Sequence, residues 1–458
     1  MKRTRLIGLI AVLAMILAAC GGEDAETTTT AATPDQPATT AAPDEPTPTT
    51  EGGTTETTAA AMDEGPLAEF GESTDADPAL VERAIGPVSD VPDIVLASIA
   101  RANQDLDQAT IDKAMECWSN QECDTGSGGE LTMGWADGGG DTVNVWRGVS
   151  HMEAILQALT YPEIGAIVST ASNFNPDPAV HANDVRFLIQ RGVDFIVGYP
   201  DVGIALAPVV LEAEAAGIPY ISYSAGYVGL PGQDGALVPG EDYTAVVGED
   251  LCALGQSFAA VLNDSVGTGQ VGMLGGTPGN ALTLGWQQCV LPALGDGLEI
   301  ANPPADENST TGDTFWVNSF ALDAARGILT TTPDVGGWVY EYADGMYTAL
   351  QAYDELGIPV ENLTIAIRTD EQTLFCDWAE RGEPTYNIWY SAGGNFQARV
   401  AVTTAMLSLN GFDSGGEVIV PHVMRQVTES DCNPDRVNEV VSGTSLVPDS
   451  VLSLMFGG

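Results

Sequence analysis

The stretch "DVRFLIQRGVDFIVGYPDVGIALAPVVLEAEAAGIPYISYSAG", Asp184 to Gly226, decides how the chain is read. It divides into a helix-length segment, a β-rich run "DFIVGYPD", a second helix-length segment "GIALAPVVLEAEAAG" and another apolar run "PYISYSAG". Alternation of this kind means successive βα units, and so a parallel sheet covered by helices on both faces. Upstream, "LTMGWAD" is followed by "VWRGVSHMEAILQAL", and "IGAIVSTAS" precedes the quoted stretch. Downstream the series restarts at "DYTAVVGEDLCALGQSFAAVL" and runs through "GQVGMLGGTPGN", "ALTLGWQQCVLPALG", "GGWVYEYADG" and "LTIAIRTDE". One core rarely holds this many units, so two α/β lobes of similar construction are expected. "YNIWYSAGGNFQARVAVTTAMLSLNG" and "GEVIVPHVMRQV" add a strand, a helix and a late strand.

The chain begins "MKRTRLIGLIAVLAMILAACGG". Lys2, Arg3 and Arg5 precede an apolar run, Leu6 to Leu17, that is short for a bilayer span. Leu17-Ala18-Ala19-Cys20 resembles the lipobox of bacterial lipoprotein signal peptides, where cleavage precedes a cysteine that carries diacylglycerol. An ordinary secretory signal with an incidental cysteine is the other reading. The expectation is a signal peptide over 1–19, lipidation at Cys20 and an extracytoplasmic protein anchored to the cell membrane. Residues 20–70, rich in Thr, Ala, Pro and acids, read as a disordered tether. Residues 71–129 read as a helical extension with starts near Asp77-Pro78 and Asp107 to Thr110.

The 15 Lys and Arg stand against 64 Asp and Glu, a net charge of -49. Such a chain is repelled by nucleic acid, which excludes DNA and RNA as partners. Cys117, Cys123, Cys252, Cys289, Cys376 and Cys432 suggest disulfides in an exported chain, with fifteen formal pairings. Zinc is the other reading. The absence of a C-x-x-C pair and the wide spacing of His151, His181 and His422 speak against it, and no metal or cofactor is expected.

The quoted stretch resembles the first lobe of type I solute-binding proteins of ABC importers, the ribose- and galactose-binding branch. Those proteins commonly show a helix ending in "QGVD", a strand ending near "P-x-D" and "A-x-x-AGIP" before the next strand. "VGEDLCALGQSFA" is similar to the opening of their second lobe, with Glu249-Asp250 in place of Asp-Asn, and "LGGTPGN" to the glycine turn that follows. "VYEYADGMYTALQAYDELG" is similar to their "N-D-x-x-A-x-G-A-L-x-A" helix start. The likeness spans about Leu131 to Val427 and rests on the order and spacing of these motifs. It implies two doubly wound parallel-sheet lobes joined by a hinge that close on a ligand. The first lobe is expected over 130–239 plus 393–420, and the second over 240–392 plus 421–458. The expected partners are ABC permease membrane subunits, for a monomeric binding protein. From that lobe map follow the pairs Cys117–Cys123, Cys252–Cys289 and Cys376–Cys432, none crossing the hinge.

The loop after "LTMGWAD" contains Gly138-Gly139-Gly140 but neither G-x-G-x-x-G nor a P-loop ending. Its place at the carboxyl end of a strand makes it a ligand loop. Trp135 or Trp146 would cover the apolar face of a monosaccharide or polyol, with Asp137 and Asn144 taking its hydroxyls. Other strand ends supply Tyr199, Asp201, Ser224, Asp344, Asp370, Ser391 and Asn395 as candidates. Asp201, Asp344 and Asp370 serve equally well as helix caps, and Trp286 and Trp316 as core. The family's arginine in the helix after the second-lobe glycine turn has no counterpart in "ALTLGWQQC". Two alternatives remain: a receptor feeding a membrane sensor, and an exported hydrolase. For the hydrolase, Gly255-Gln256-Ser257-Phe258-Ala259 lacks the elbow's final glycine, and no enzyme activity is expected.

Overall fold

The computed structural model describes residues 67–456, apart from 104, 138–143, 171–174, 176, 307, 383–384 and 434–440. The expected signal peptide, Cys20, nearly all of the expected tether and Gly138-Gly139-Gly140 lie outside the described residues.

The chain opens with α1 (Pro78–Ile85), α2 (Asp93–Ala100), α3 (Gln108–Ser119) and β1 (Glu122–Asp124). A first βα series follows: β2 (Leu131–Asp137), α4 (Val145–Ala158), β3 (Ile164–Ser169), α5 (Pro178–Arg191), β4 (Phe195–Tyr199), α6 (Ala207–Ala215), β5 (Tyr220–Ser222) and β6 (Ala245–Gly248). A second comprises α7 (Leu251–Ser265), β7 (Gly269–Met273), α8 (Ala281–Ala293), β8 (Leu298–Ile300), α9 (Asn318–Thr331), β9 (Val335–Tyr340), α10 (Ala343–Leu356), β10 (Thr364–Ile367), α11 (Gln372–Arg381) and β11 (Asn387–Tyr390). The chain closes with α12 (Gln397–Leu409), β12 (Glu417–Ile419), β13 (Arg425–Gln426) and α13 (Asp449–Phe456).

The strands form two sheets, in the orders β1-β3-β2-β4-β5-β6-β12 and β13-β11-β10-β9-β7-β8. Only the edge strands β1 and β13 run antiparallel to their neighbours. Strand β4, "FIVGY", is buried throughout, as a parallel strand covered on both faces should be. Helices α5 and α6 pack on the first sheet, as does α12. Gly272 in β7 is required by packing: a Cβ there would meet the Trp338 ring at 2.3 Å. This is the fold expected from the sequence, two parallel-dominated sheets with flanking helices.

The structure departs from the expected boundaries in two places. Strand β6, expected in the second lobe, pairs with β5 and β12 in the first sheet, so the crossing comes at Glu249 and not at 239/240. The expected late strand is two strands, β12 in the first sheet and β13 in the second, and they divide at the expected 420/421 boundary. The tail, expected in the second lobe, bonds there through Ser442 and Thr444 to Asp370 and then returns. Ser445 Oγ and the Leu446 and Val447 amides donate to Glu153 on α4 because that buried carboxylate needs donors. The extension is also not wholly helical, since β1 joins β3. Cys117 is joined to Cys123, Cys252 to Cys289 and Cys376 to Cys432.

Candidate functional site

In each sheet the strand order reverses once, between β2 and β4 in the first and between β7 and β9 in the second. Crevices at the carboxyl ends of such strands are where open α/β sheets bind ligands. Register pairs Asp137, the last residue of β2, with Tyr199, the last of β4. Arg147, in the first turn of α4, reaches back over this point. Its Nη1 donates to Asp137 Oδ1 at 2.6 Å and its Nη2 to Asp201 Oδ1 at 2.5 Å. Tyr223 Oη donates to the second Asp137 oxygen at 2.5 Å. Burial works against the Arg147 charge, but Asp137 and Asp201 outweigh it and hold the guanidinium more firmly protonated than usual. Burial pushes Asp201 up despite Arg147.

The second sheet contributes a matching charge. Arg368, one residue beyond β10, donates through Nη2 to Glu249 Oε2 and to Ser224 Oγ, each at 2.9 Å. Burial would raise the Glu249 carboxyl; Arg368 wins and holds it below the ordinary range. Gly393 makes room for this arginine, since a Cβ there would stand 2.6 Å from Arg368 Cγ. Glu341, just past β9, accepts from Thr283 Oγ1 at 2.5 Å, Trp316 Nε1 at 2.9 Å and Trp286 Nε1. Burial pushes its pKa up to about 7.

These groups surround a cavity of about 30 Å³. That holds about two waters, at the usual minimum of ~10–15 Å³ each. The sheets meet across it. Asn280 Nδ2 donates to the Asp201 carbonyl at 3.0 Å, Tyr199 Oη to Asn280 Oδ1 at 3.3 Å, and Trp146 Nε1 to the Gly393 carbonyl at 3.2 Å. Backbone strain gathers here too. Ser224, Ala225, Phe315, Trp316 and Ala392 all have φ between 52° and 58°, at or beside the cavity wall. Each such residue costs about 1–3 kcal/mol, a cost that persists where the surroundings over-determine a site.

Of the residues expected from sequence, Asn144, Trp146, Tyr199 and Ser224 line the cavity. Trp135 is 0 % exposed and lies beneath it, stacked on His151 at 4.9 Å and Tyr223 at 5.1 Å. Asp137 and Asp201 stand behind Arg147 and orient it. Asn395 Nδ2 donates to the Trp146 carbonyl at 2.6 Å and Ser391 Oγ to the Arg368 carbonyl at 3.1 Å, so both brace lining residues. Asp344 is engaged by Asn318 and Thr373, and Asp370 by the tail; neither touches the cavity. Nor do the three candidate aspartates cap: the N-cap positions of α6, α10 and α11 are Leu206, Tyr342 and Glu371. Trp316, weighed above against a place in the core, lines the cavity too, and Arg147, Leu282, Glu341, Tyr342, Arg368 and Thr369 complete the wall without having been singled out. Scarcity was the available signal, because Arg368 directly follows β10 and Arg147 opens the helix after β2 in a chain with only 15 basic residues. Ser257, the serine of the hydrolase alternative, lies inside α7 with its hydroxyl on the Ala253 carbonyl at 2.8 Å. His422 Nε2 is 3.5 Å away.

A family model described as a periplasmic binding protein domain matches residues 153–411. No curated protein sequence matches the chain. Many solved structures share its fold, and three illustrate the likeness. An ABC transporter solute-binding protein from Mycobacterium smegmatis, with bound glycerol, is 19 % identical with a TM-score of 0.53, over 66 % of this chain and 96 % of that one. A periplasmic solute-binding protein from Actinobacillus succinogenes 130z, with bound D-allose, is 19 % identical at 0.52, over 66 % and 99 %. One from Bacillus halodurans C-125, with bound myo-inositol, is 19 % identical at 0.51, over 67 % and 97 %.

Proposed function

Because this chain belongs to the periplasmic binding protein family, we propose that it binds a small neutral polyol, most simply a sugar, between its two sheets. The observation that carries this reading is the state of the polar atoms in the cavity. Asn144 Oδ1 and Arg368 Nε line it, are buried, and have no hydrogen-bond partner among the described residues. One is an acceptor and the other a donor, and a hydroxyl satisfies either. Both arginine charges are already matched by carboxylates, so the site has no surplus positive charge for an anion. The Trp146 and Trp316 rings offer flat apolar surface for the face of a sugar.

A sugar exceeds the volume of the cavity, so entry requires the lobes to part and binding draws them together. The lobe boundaries that fit the strand pairing are 130–248 plus 393–420 and 249–392 plus 421–444. We place the protein outside the cytoplasm, tethered through Cys20, delivering its ligand to ABC permease subunits. A membrane sensor would use the same clamp. The deciding experiment is calorimetric titration with neutral pentoses, hexoses, inositols, furanosides and amino acids. Saturable binding of a neutral polyol is expected, and binding confined to amino acids would defeat the proposal.

A further inference from the structure

A second and larger cavity, about 380 Å³, opens at the carboxyl ends of β10 and β11. Its walls come from both sides of the molecule. Asp370, Phe375 and Tyr390 belong to the second sheet and its helices. Arg83 lies on α1, which packs on α2 and through it on α12 of the first sheet. Arg425 begins β13, where the chain has just crossed between the sheets.

The distribution of charge sets this cavity apart. Nine of the eleven described Lys and Arg side chains have a carboxylate oxygen at 2.9 Å or closer. Arg83 and Arg425 are the two without an ion pair among the described residues, and both line this cavity. In a chain with 64 acidic residues, two unpaired guanidiniums at one cavity run against the odds. Arg83 Nη2 and Arg425 Nε and Nη2 also have no hydrogen-bond partner among the described residues. Arg425 is held in place: its Nη1 donates to the Glu82 carbonyl at 3.5 Å and its guanidinium lies 5.0 Å from the Tyr390 ring centroid.

Of the three acids that line the cavity, Asp370, Asp431 and Asp449, the first two have their own donors. Asp431 accepts from Tyr390 Oη at 2.8 Å and from Thr428 N at 2.7 Å, and Asp370 accepts from Ser442 Oγ and from Thr444 N. The wall itself is braced, because Cys432 is bonded to Cys376 and Gln372 Nε2 donates to the Asp431 carbonyl at 2.9 Å. A fixed wall with unused charged donors is built for a planar or tetrahedral oxyanion.

We propose that this cavity binds a small organic oxyanion, a carboxylate or phosphate ester, with its charged group on Arg83 and Arg425. Arg425 stands on a strand of the second sheet, and Arg83 on a helix that reaches the first sheet through α2 and α12.

The test titrates the full mature chain with citrate, glucose 6-phosphate and inorganic phosphate, without any cleft ligand, up to about 10 mM. Saturable binding of at least one probe is expected, weakened about tenfold or more by Arg83→Gln, which alters a rim side chain on a short helix. Citrate as the preferred probe identifies a carboxylate ligand, and either phosphate compound identifies a phosphate. Arg425→Gln, with its fold checked by circular dichroism, should weaken the same probe. No binding by any probe, or binding unchanged in the Arg83→Gln/Arg425→Gln double variant, overturns the proposal. A failed sugar panel would leave this test intact, since its readout does not involve the cleft.

Discussion

Arg368→Met removes one partner of an ion pair whose two side chains are each 2 % exposed. Glu249 then keeps a buried charge without its counterion, and Ser224 Oγ loses its donor. Breaking a buried pair from one side costs about 3–5 kcal/mol. Replacing both partners, as Arg368→Met with Glu249→Leu, removes the stranded charge and should cost less than the two single changes added together. A coupling of about 2 kcal/mol or more is expected. Urea unfolding of the ligand-free protein measures all four corners of this cycle. Calorimetry then asks whether cleft affinity falls in the double variant, which lacks the donor from Arg368 Nε. A single variant within about 1 kcal/mol of the parent, or strict additivity, would refute the reasoning.

Trp135→Ala should destabilise the protein by about 3–5 kcal/mol because the ring is fully buried. Trp316→Ala should act on binding, weakening the polyol by about five- to hundredfold, ~1–3 kcal/mol; the reverse pattern in denaturation and calorimetry would displace the site. Cys20→Ala should release the protein into the soluble fraction with ligand affinity unchanged, and persistent membrane association would contradict lipidation. Burial raises Glu341 to about 7 and Glu371 to about 8, so the folded state holds protons that the unfolded chain has released. Stability should therefore fall by about 2 kcal/mol from pH 7 to pH 9, and Glu371→Gln should flatten the slope. A rise over that interval would show the sign to be wrong.

The βα rhythm was legible because the inner strands are short apolar runs, and β4, β5, β6 and β10 are buried throughout. The cysteine pairs followed from the order of the elements, since α7 and α8 pack side by side. Strand β6 was misplaced because "DYTAVVGEDLCALGQ" reads continuously into α7, and nothing in it marks the crossing at Glu249. In the cleft, sequence located the strand ends but not the side-chain directions. Trp135 and Asp137 are two residues apart on β2 and point to the same face, where α4 covers them. The ring packs under His151, and the carboxylate serves Arg147. Which first-turn residue of α4 faces the cavity depends on the helix's rotation against the sheet, and that is set by tertiary packing.

The return of the tail to Glu153 has a mechanical consequence. The backbone passes between the two sheets near Glu249, again between Tyr390 and Gln397, again between Ile419 and Arg425, and a last time between Thr444 and Ser445. A single connecting strand behaves like a swivel and transmits almost no torque. Four ties at separate points resist torsion, because any twist must stretch several of them at once. The motion left to the two halves is a swing about a nearly fixed line, so a force applied at the cleft is converted into rotation with little lost to wobble.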